Sequence, residues 1–389
     1  MIKRSLSAKL KYLSKKFPVI SITGPRQSGK TTLVKDIFSG YSYYSLEDPD
    51  TREYAQTDPR AFLTKPNKGM IIDEIQRVPK LLSYIQTISD SSGKTGRFII
   101  TGSQNLLISQ HISQTLAGRV AIITLLPFSV EELKTASFSL KNPYETIFKG
   151  MYPRIYDKKI KPLDWYPGYI QTYIERDIRS IKNISDLSSF QKFIKICAGR
   201  SGQVVNLSSI GNDCGITHNT AKAWLSILEA SYIIFLLKPY HSNFNKRLIK
   251  MPKLYFYDTG LLCSLLGIKD STGLETHYLR GSIFETFVLS EIQKSILNQG
   301  NMPECYYWRD KIGNEIDCIV DFAGKTIKIE IKSGKTIADD FFKGLKYWAK
   351  LSGSSKDSYI VYAGNTGQKR SQADIVSWHD IASLLEKHR

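Results

Sequence analysis

Long apolar runs are missing from this 389-residue sequence. None approaches the roughly 20 residues that a membrane-spanning helix needs. Cysteine is scarce as well: Cys197, Cys214, Cys263, Cys305 and Cys318 are an odd number, widely spread, with no CxxC pair. They imply neither a disulfide framework nor a zinc site, and they point to a reducing, cytoplasmic setting. The six histidines are scattered without ligand spacing. Acidic residues are few, 36 against 54 Lys and Arg, a net charge of +18. That balance favours a polyanionic partner, nucleic acid before an anionic membrane surface; a basic surface that serves only solubility is the alternative. The first residues lack the apolar core of a signal peptide. Met1 to Lys16 is instead basic and amphipathic, with Leu6, Leu10 and Leu13 on one helical face, as expected of a helix docked on the first domain.

What is present begins with Gly24-Pro25-Arg26-Gln27-Ser28-Gly29-Lys30-Thr31-Thr32. This is the P-loop pattern, and its surroundings suit it. Val19 to Thr23 reads as a buried strand, and Leu33, Val34 and Ile37 are spaced as the inner face of a helix. Backbone N–H groups of such a loop, with the positive end of the helix dipole, point at phosphate oxygens. Lys30 is then expected to reach the terminal phosphates of ATP, and the Thr31 hydroxyl to ligate magnesium.

Three further apolar runs follow. Met70-Ile71-Ile72 ends in Asp73-Glu74, the Walker B arrangement, in which Asp73 holds the magnesium and Glu74 polarises the attacking water. Arg97 to Thr101 closes on Gly102-Ser103-Gln104, so Ser103 and Gln104 are candidate contacts to the γ-phosphate or the water. Val120 to Leu125 reads as another buried strand. Arg119, just before it, is a candidate to stabilise transition-state charge, from this chain or a neighbouring one. Strands alternating with helices imply a parallel α/β sheet with its ligand at the strands' C-terminal ends.

Together GPRQSGKTT, the Ser45-Leu46-Glu47-Asp48-Pro49 segment, IIDEIQ at 71–76, ITGSQ at 100–104 and LAGR at 116–119 resemble one family. Its members are bacterial and archaeal AAA-like P-loop ATPases with a C-terminal domain of unknown function, and the similarity runs nearly end to end. The resemblance implies an AAA-type ATPase core.

Between about 130 and 180, Tyr, Pro and Lys become frequent and periodicity fades, as in a connecting segment with short helices. Beyond Leu187 the helical pattern returns. Leu207–Cys214, a turn at Gly215, and a helix from Asn219 to Ala230 form a helix-turn-helix pattern. Thr217 or Asn219 is its cap, and Ala221, Trp224, Leu225 and Leu228 its buried stripe. Tyr232–Leu237 and Lys253–Tyr257 read as a two-stranded wing. No acidic residue lies between Glu229 and Asp258, whereas Lys238, Lys246, Arg247, Lys250 and Lys253 do. This cluster suits phosphate contacts; an interdomain platform is the alternative.

After Gly281 a new pattern begins. Glu285 sits in an apolar helix, and two alternating runs, Glu315–Asp321 and Thr326–Lys332, read as strands with one buried face each. A turn centred on Ala323-Gly324 sets Asp317 opposite Glu330 and Glu315 opposite Lys332. Opposed carboxylates repel, and a divalent cation between them converts the repulsion into binding. A helical Glu, a strand Asp and Glu-x-Lys resemble the motif of PD-(D/E)XK nucleases. The resemblance implies that Asp317 and Glu330 bind magnesium, Lys332 orients or activates the water, and Glu285 supports the metal.

The expected architecture is α/β throughout: an AAA-like P-loop NTPase domain with a parallel sheet (1–150), a connecting helical segment (151–186), a winged-helix domain (187–272) and a restriction-endonuclease-like domain (273–389). The expected function is ATP binding and hydrolysis coupled to a nucleic-acid-binding, nuclease-like domain acting on DNA. The alternatives are an ATP-dependent switch or scaffold with an inactive nuclease-like domain, and a membrane-surface ATPase recruited by charge. AAA cores often assemble as rings, and the sequence leaves the number of subunits open.

Overall fold

A computed structural model describes residues 2–64, 68–102, 115–178, 186–240, 250–322 and 324–388. The chain divides into two compact units. One comprises residues 1–128 with two short later pieces, and the other the greater part of 129–389.

The first unit is built on five parallel strands: β1 (Val19–Thr23), β2 (Ser42–Ser45), β3 (Met70–Asp73), β4 (Phe98–Thr101) and β5 (Val120–Thr124), in the order β2-β3-β4-β1-β5. Alternation along each strand divides the core in two. Val19, Met70, Ile72, Phe98 and Ile100 face Leu81, Leu82 and Ile85 of the helix Leu81–Ser92. Ile20, Ile22, Ile71 and Ile99 face Leu33 and Val34 of the helix Lys30–Ile37. On that second side lies the N-terminal helix, Ser7–Ser14, with Leu6 and Leu10 fully buried as expected.

Two features depart from expectation. β5 is an edge strand, so its burial alternates and Ile122 is exposed. β2, at the opposite edge, is polar and only half-buried, which is why Ser42-Tyr43-Tyr44-Ser45 gives no apolar signal.

The second unit begins with short helices (Val130–Thr135, Pro143–Lys149, Pro153–Asp157 and Pro162–Tyr169) and a helix with wider, i→i+5 bonding (Ile170–Ile178). These are packed rather than a bare connection. Tyr152, Trp165, Tyr166 and Tyr169 form a buried aromatic cluster, and Tyr166 donates to the carboxylate of Asp258 at 2.7 Å. The lost periodicity reflects breaks at Pro143, Pro153 and Pro162, each opening a helix.

Leu187–Gly199, Leu207–Cys214 and His218–Ala230 follow, the last capped by Thr217, whose hydroxyl accepts from Thr220 N at 3.1 Å. Its buried stripe, Ala221, Trp224, Leu225, Ile227 and Leu228, includes every residue expected there.

Seven strands then form one sheet: β6 (Ile234–Pro239), β7 (Lys253–Phe256), β8 (Cys305–Arg309), β9 (Glu315–Phe322), β10 (Lys325–Lys332), β11 (Ser358–Tyr362) and β12 (Asp374–Ser377), in the order β12-β11-β10-β9-β8-β6-β7. β6 and β7 are antiparallel, as a wing requires. They are not a free wing, because β6 also pairs with β8 and extends the sheet that carries β9 and β10.

Candidate functional site

In the first unit, β1 delivers the chain into the loop at Gly24. A Cβ on Gly24 would lie 2.1 Å from the Leu125 carbonyl oxygen, and its φ of 142° also favours glycine. Gly29, at φ 95°, turns the chain into the helix Lys30–Ile37. Arg4 braces the loop from the N-terminal segment, donating to Ser28 O at 2.8 Å and Leu126 O at 2.7 Å.

Lys30 is buried, and its Nζ donates to Gly24 O at 2.9 Å and Pro25 O at 2.8 Å. Burial lowers its pKa to about 8, against the opposing pull of Glu74 and Asp73. Thr31 Oγ1 donates to Asp73 Oδ2 at 2.9 Å, and Tyr43 donates to the same oxygen at 2.8 Å. Thr101 donates to Oδ1. Tyr43 is raised well above the usual phenol range, first by burial and then by this carboxylate.

These residues fit a nucleotide with its cation. The Thr31 hydroxyl and Asp73 carboxylate are adjacent hard oxygen donors. Ser28 Oγ is buried without a hydrogen-bond partner among the described residues. The cradle round Gly24 has no room for a side chain.

In the second unit, β9 and β10 pair in the expected register, from Phe322↔Lys325 to Cys318↔Ile329. Immediately beyond, the Asp317 side chain takes over from the ladder: its Oδ2 accepts from Ile331 N at 2.7 Å. Lys332 Nζ donates to Glu330 Oε2 at 2.7 Å and lies 3.8 Å from Asp317 Oδ2. Glu285, from the helix Arg280–Leu297, joins them: Glu285, Glu315 and Asp317 each offer a carboxylate oxygen, all within 4.8 Å of one another.

Both faces of β10 are covered, since Lys328 and Glu330 are buried along with the isoleucines; the single buried face expected is corrected by the strand's central place in the sheet. Helix Lys343–Ser352 approaches so closely that a Cβ on Gly344 would sit 2.2 Å from Glu330 Oε1. That oxygen has no hydrogen-bond partner among the described residues.

Burial, then Asp317, raises Glu330 well above the usual carboxylate range. Burial raises Glu285 to about 7, even with Lys253 opposing it. For Lys332 burial acts downward, but Asp317 and Glu330 overcome it and hold the ammonium charged. An all-oxygen set of this kind suits a hard divalent cation.

Comparison with known proteins bears on the domain that carries the first site. Residues 16–134 match the model of an AAA domain, while 141–272 and 280–381 match two domains of unknown function (DUF8612 and DUF4143). The first unit is an AAA-type P-loop domain. An uncharacterized protein of Mycobacterium tuberculosis is 29% identical over 339 residues, 86% of this chain and 74% of its own. Another, from Methanocaldococcus jannaschii, is 25% identical over 305 residues, 70% of this chain and 66% of its own. Among solved structures, the Walker-type ATPase of Pyrococcus abyssi matches at 14% identity with a TM-score of 0.45, over 68% of this chain and 96% of its own. The Holliday junction branch migration motor of Thermotoga maritima matches at 20% with a TM-score of 0.33, over 60% and 89%.

Within the AAA domain, Arg119 does not join the P-loop. Its backbone pairs with Val19, where β1 begins, whereas the loop leaves the other end, about 15 Å away at strand rise. Its side chain is bound to Asp90. Arg26 pairs with Glu47 at 2.9 Å, and the carboxylate of Glu74 accepts from Gln76. Ser103 and Gln104 lie outside the described residues.

Four side chains of the two candidate sites were missed or misread from sequence. Tyr43 and Thr101 end at Asp73, and Glu315 joins the acid cluster. Lys253, expected to contact phosphate, is instead 4% exposed and bonded to Glu315 and Glu285. Lys238 and Lys250 are exposed as expected; Lys246 and Arg247 lie outside the described residues.

Proposed function

We propose that the chain is an ATPase whose second unit carries a divalent-metal centre for phosphodiester hydrolysis in nucleic acid. One observation carries the first part: Thr31 is bonded to Asp73 beside the buried ammonium of Lys30, which is the donor set for a magnesium–nucleotide complex. Pro25, Gln27, Ser28 and Thr32 complete the phosphate cradle. Asp73 and Thr31 would hold the ion, and Glu74 would orient the water. Magnesium supplies charge neutralisation of the phosphates when bound. An arginine role for Arg119 is open only in trans, in an assembly of several chains.

The second part is supported by the convergence of Asp317, Glu330 and Lys332 at the end of the β9–β10 pair, with Glu285 behind them. Asp317 and Glu330 would hold the cation, Lys332 would orient the attacking water, and Glu285 would support the cation from the helix. The charge of +18 favours a polyanionic substrate. The test is cleavage of single- and double-stranded DNA and RNA with Mg2+ or Mn2+. Cleavage lost in Asp317→Asn is the expected result. Cleavage that survives in Asp317→Asn, or none with any substrate, removes the hydrolytic reading. The latter outcome leaves an ATP-dependent switch with a recognition module.

A further inference from the structure

Glu285, Glu315, Asp317 and Glu330 are gathered with two ammonium groups, and each lysine serves its own pair of acids. Lys332 lies between Asp317 and Glu330. Lys253 reaches in from β7, its Nζ 3.4 Å from Glu285 Oε1 and bonded to Glu315 Oε1. Its side chain is 4% exposed, and no carboxylate on its own strand explains its place there. Glu315 also faces Arg309, whose Nε lies 3.5 Å from its Oε2, so basic groups of the protein are concentrated on the Glu285–Glu315 side.

We infer that Lys253 fills the position of a second metal ion, so that the centre takes a single divalent cation, on the Asp317–Glu330 side. This rests on the metal-centre reading above. Two-metal hydrolytic sites place their ions about 3.5–4 Å apart and clamp both the attacking and the leaving oxygen. Here Glu285, Glu315 and Asp317 have carboxylate oxygens within 4.8 Å of one another, and the Glu285–Glu315 side already holds a cation supplied by the protein. An ammonium there offsets one negative charge and offers hydrogen-bond donors, but it cannot take water or phosphate oxygens as metal-type ligands. The opposite end keeps a buried carboxylate oxygen, Glu330 Oε1, without a partner among the described residues. The cluster is therefore asymmetric, with a protein cation at one end and an unpartnered buried carboxylate oxygen at the other.

The test counts ions. The full chain, carrying Asp73→Asn so that the first unit loses the carboxylate assigned to its magnesium, is titrated with Mn2+ without nucleotide by calorimetry and electron paramagnetic resonance. One ion is expected, lost on adding Asp317→Asn. Lys253→Met is expected to bind two ions, with the spin coupling of a close Mn2+ pair, and Lys253→Arg to keep one. Without metal, Lys253→Met should melt lower than the parent and recover with Mn2+. Lys253→Gln, a neutral donor of similar reach, serves as a second neutral variant with the same two expectations. One uncoupled ion at the parent's affinity in both neutral variants overturns the inference and leaves the metal centre standing. A parent that binds no ion sensitive to Asp317→Asn overturns the metal-centre reading itself.

Discussion

Lys30 shows how much chemistry rests on one buried charge. With a folded-state pKa of about 8, below that of a lysine in the unfolded chain, it is held charged at neutral pH at a cost to stability. That cost is relieved as pH rises through 8 and the group loses its proton. Nucleotide phosphates need the charged form, so binding and stability move in opposite directions here. ATP affinity is therefore expected to fall above pH 8, towards tenfold for each further unit, with a proton taken up on binding. Calorimetry in buffers of different ionisation enthalpy checks this. Affinity that stays flat from pH 7 to 9.5, with no proton uptake, would sink the assignment of Lys30 to the phosphates.

Individual elements were legible in proportion to how strongly one face is buried. β1, β3 and β4 lie inside their sheet, and their continuous apolar runs announced them. β2 sits at an edge and carries serine and tyrosine, so only the fold exposes Tyr43 as a partner of Asp73. The β9–β10 register was readable from a turn and two alternating runs. Lys253 was not, because a lysine among lysines reads as surface until the fold buries it beside Glu285. The N-terminal helix was placed by three leucines, and the fold adds the reason it matters: the preceding Arg4 ties the P-loop carbonyl of Ser28 to that of Leu126 beyond β5. Leu10→Ala, at a fully buried position, is expected to cost about 2–5 kcal/mol. Urea unfolding followed in the first unit checks it, and a change under 1 kcal/mol would mean the helix is not docked as described.

At the scale of the whole molecule, the two units carry different kinds of information. The first is an AAA-type domain whose candidate residues follow one another almost in order along the chain. The second assembles its acids from the helix Arg280–Leu297, β9 and β10, and adds Lys253 from β7, so that sequence neighbours reveal only part of it. No described helix is long and apolar enough to cross a membrane. Matches to two domains of unknown function leave the second unit's chemistry to its geometry. The account stands first on ATP turnover. The direct measurement is phosphate release from Mg2+–ATP by the full chain, beside Lys30→Ala and Asp73→Asn, with circular dichroism to confirm folding. Turnover in the native chain and a loss of at least a hundredfold in both folded variants is the result this account requires; equal rates in all three would contradict it.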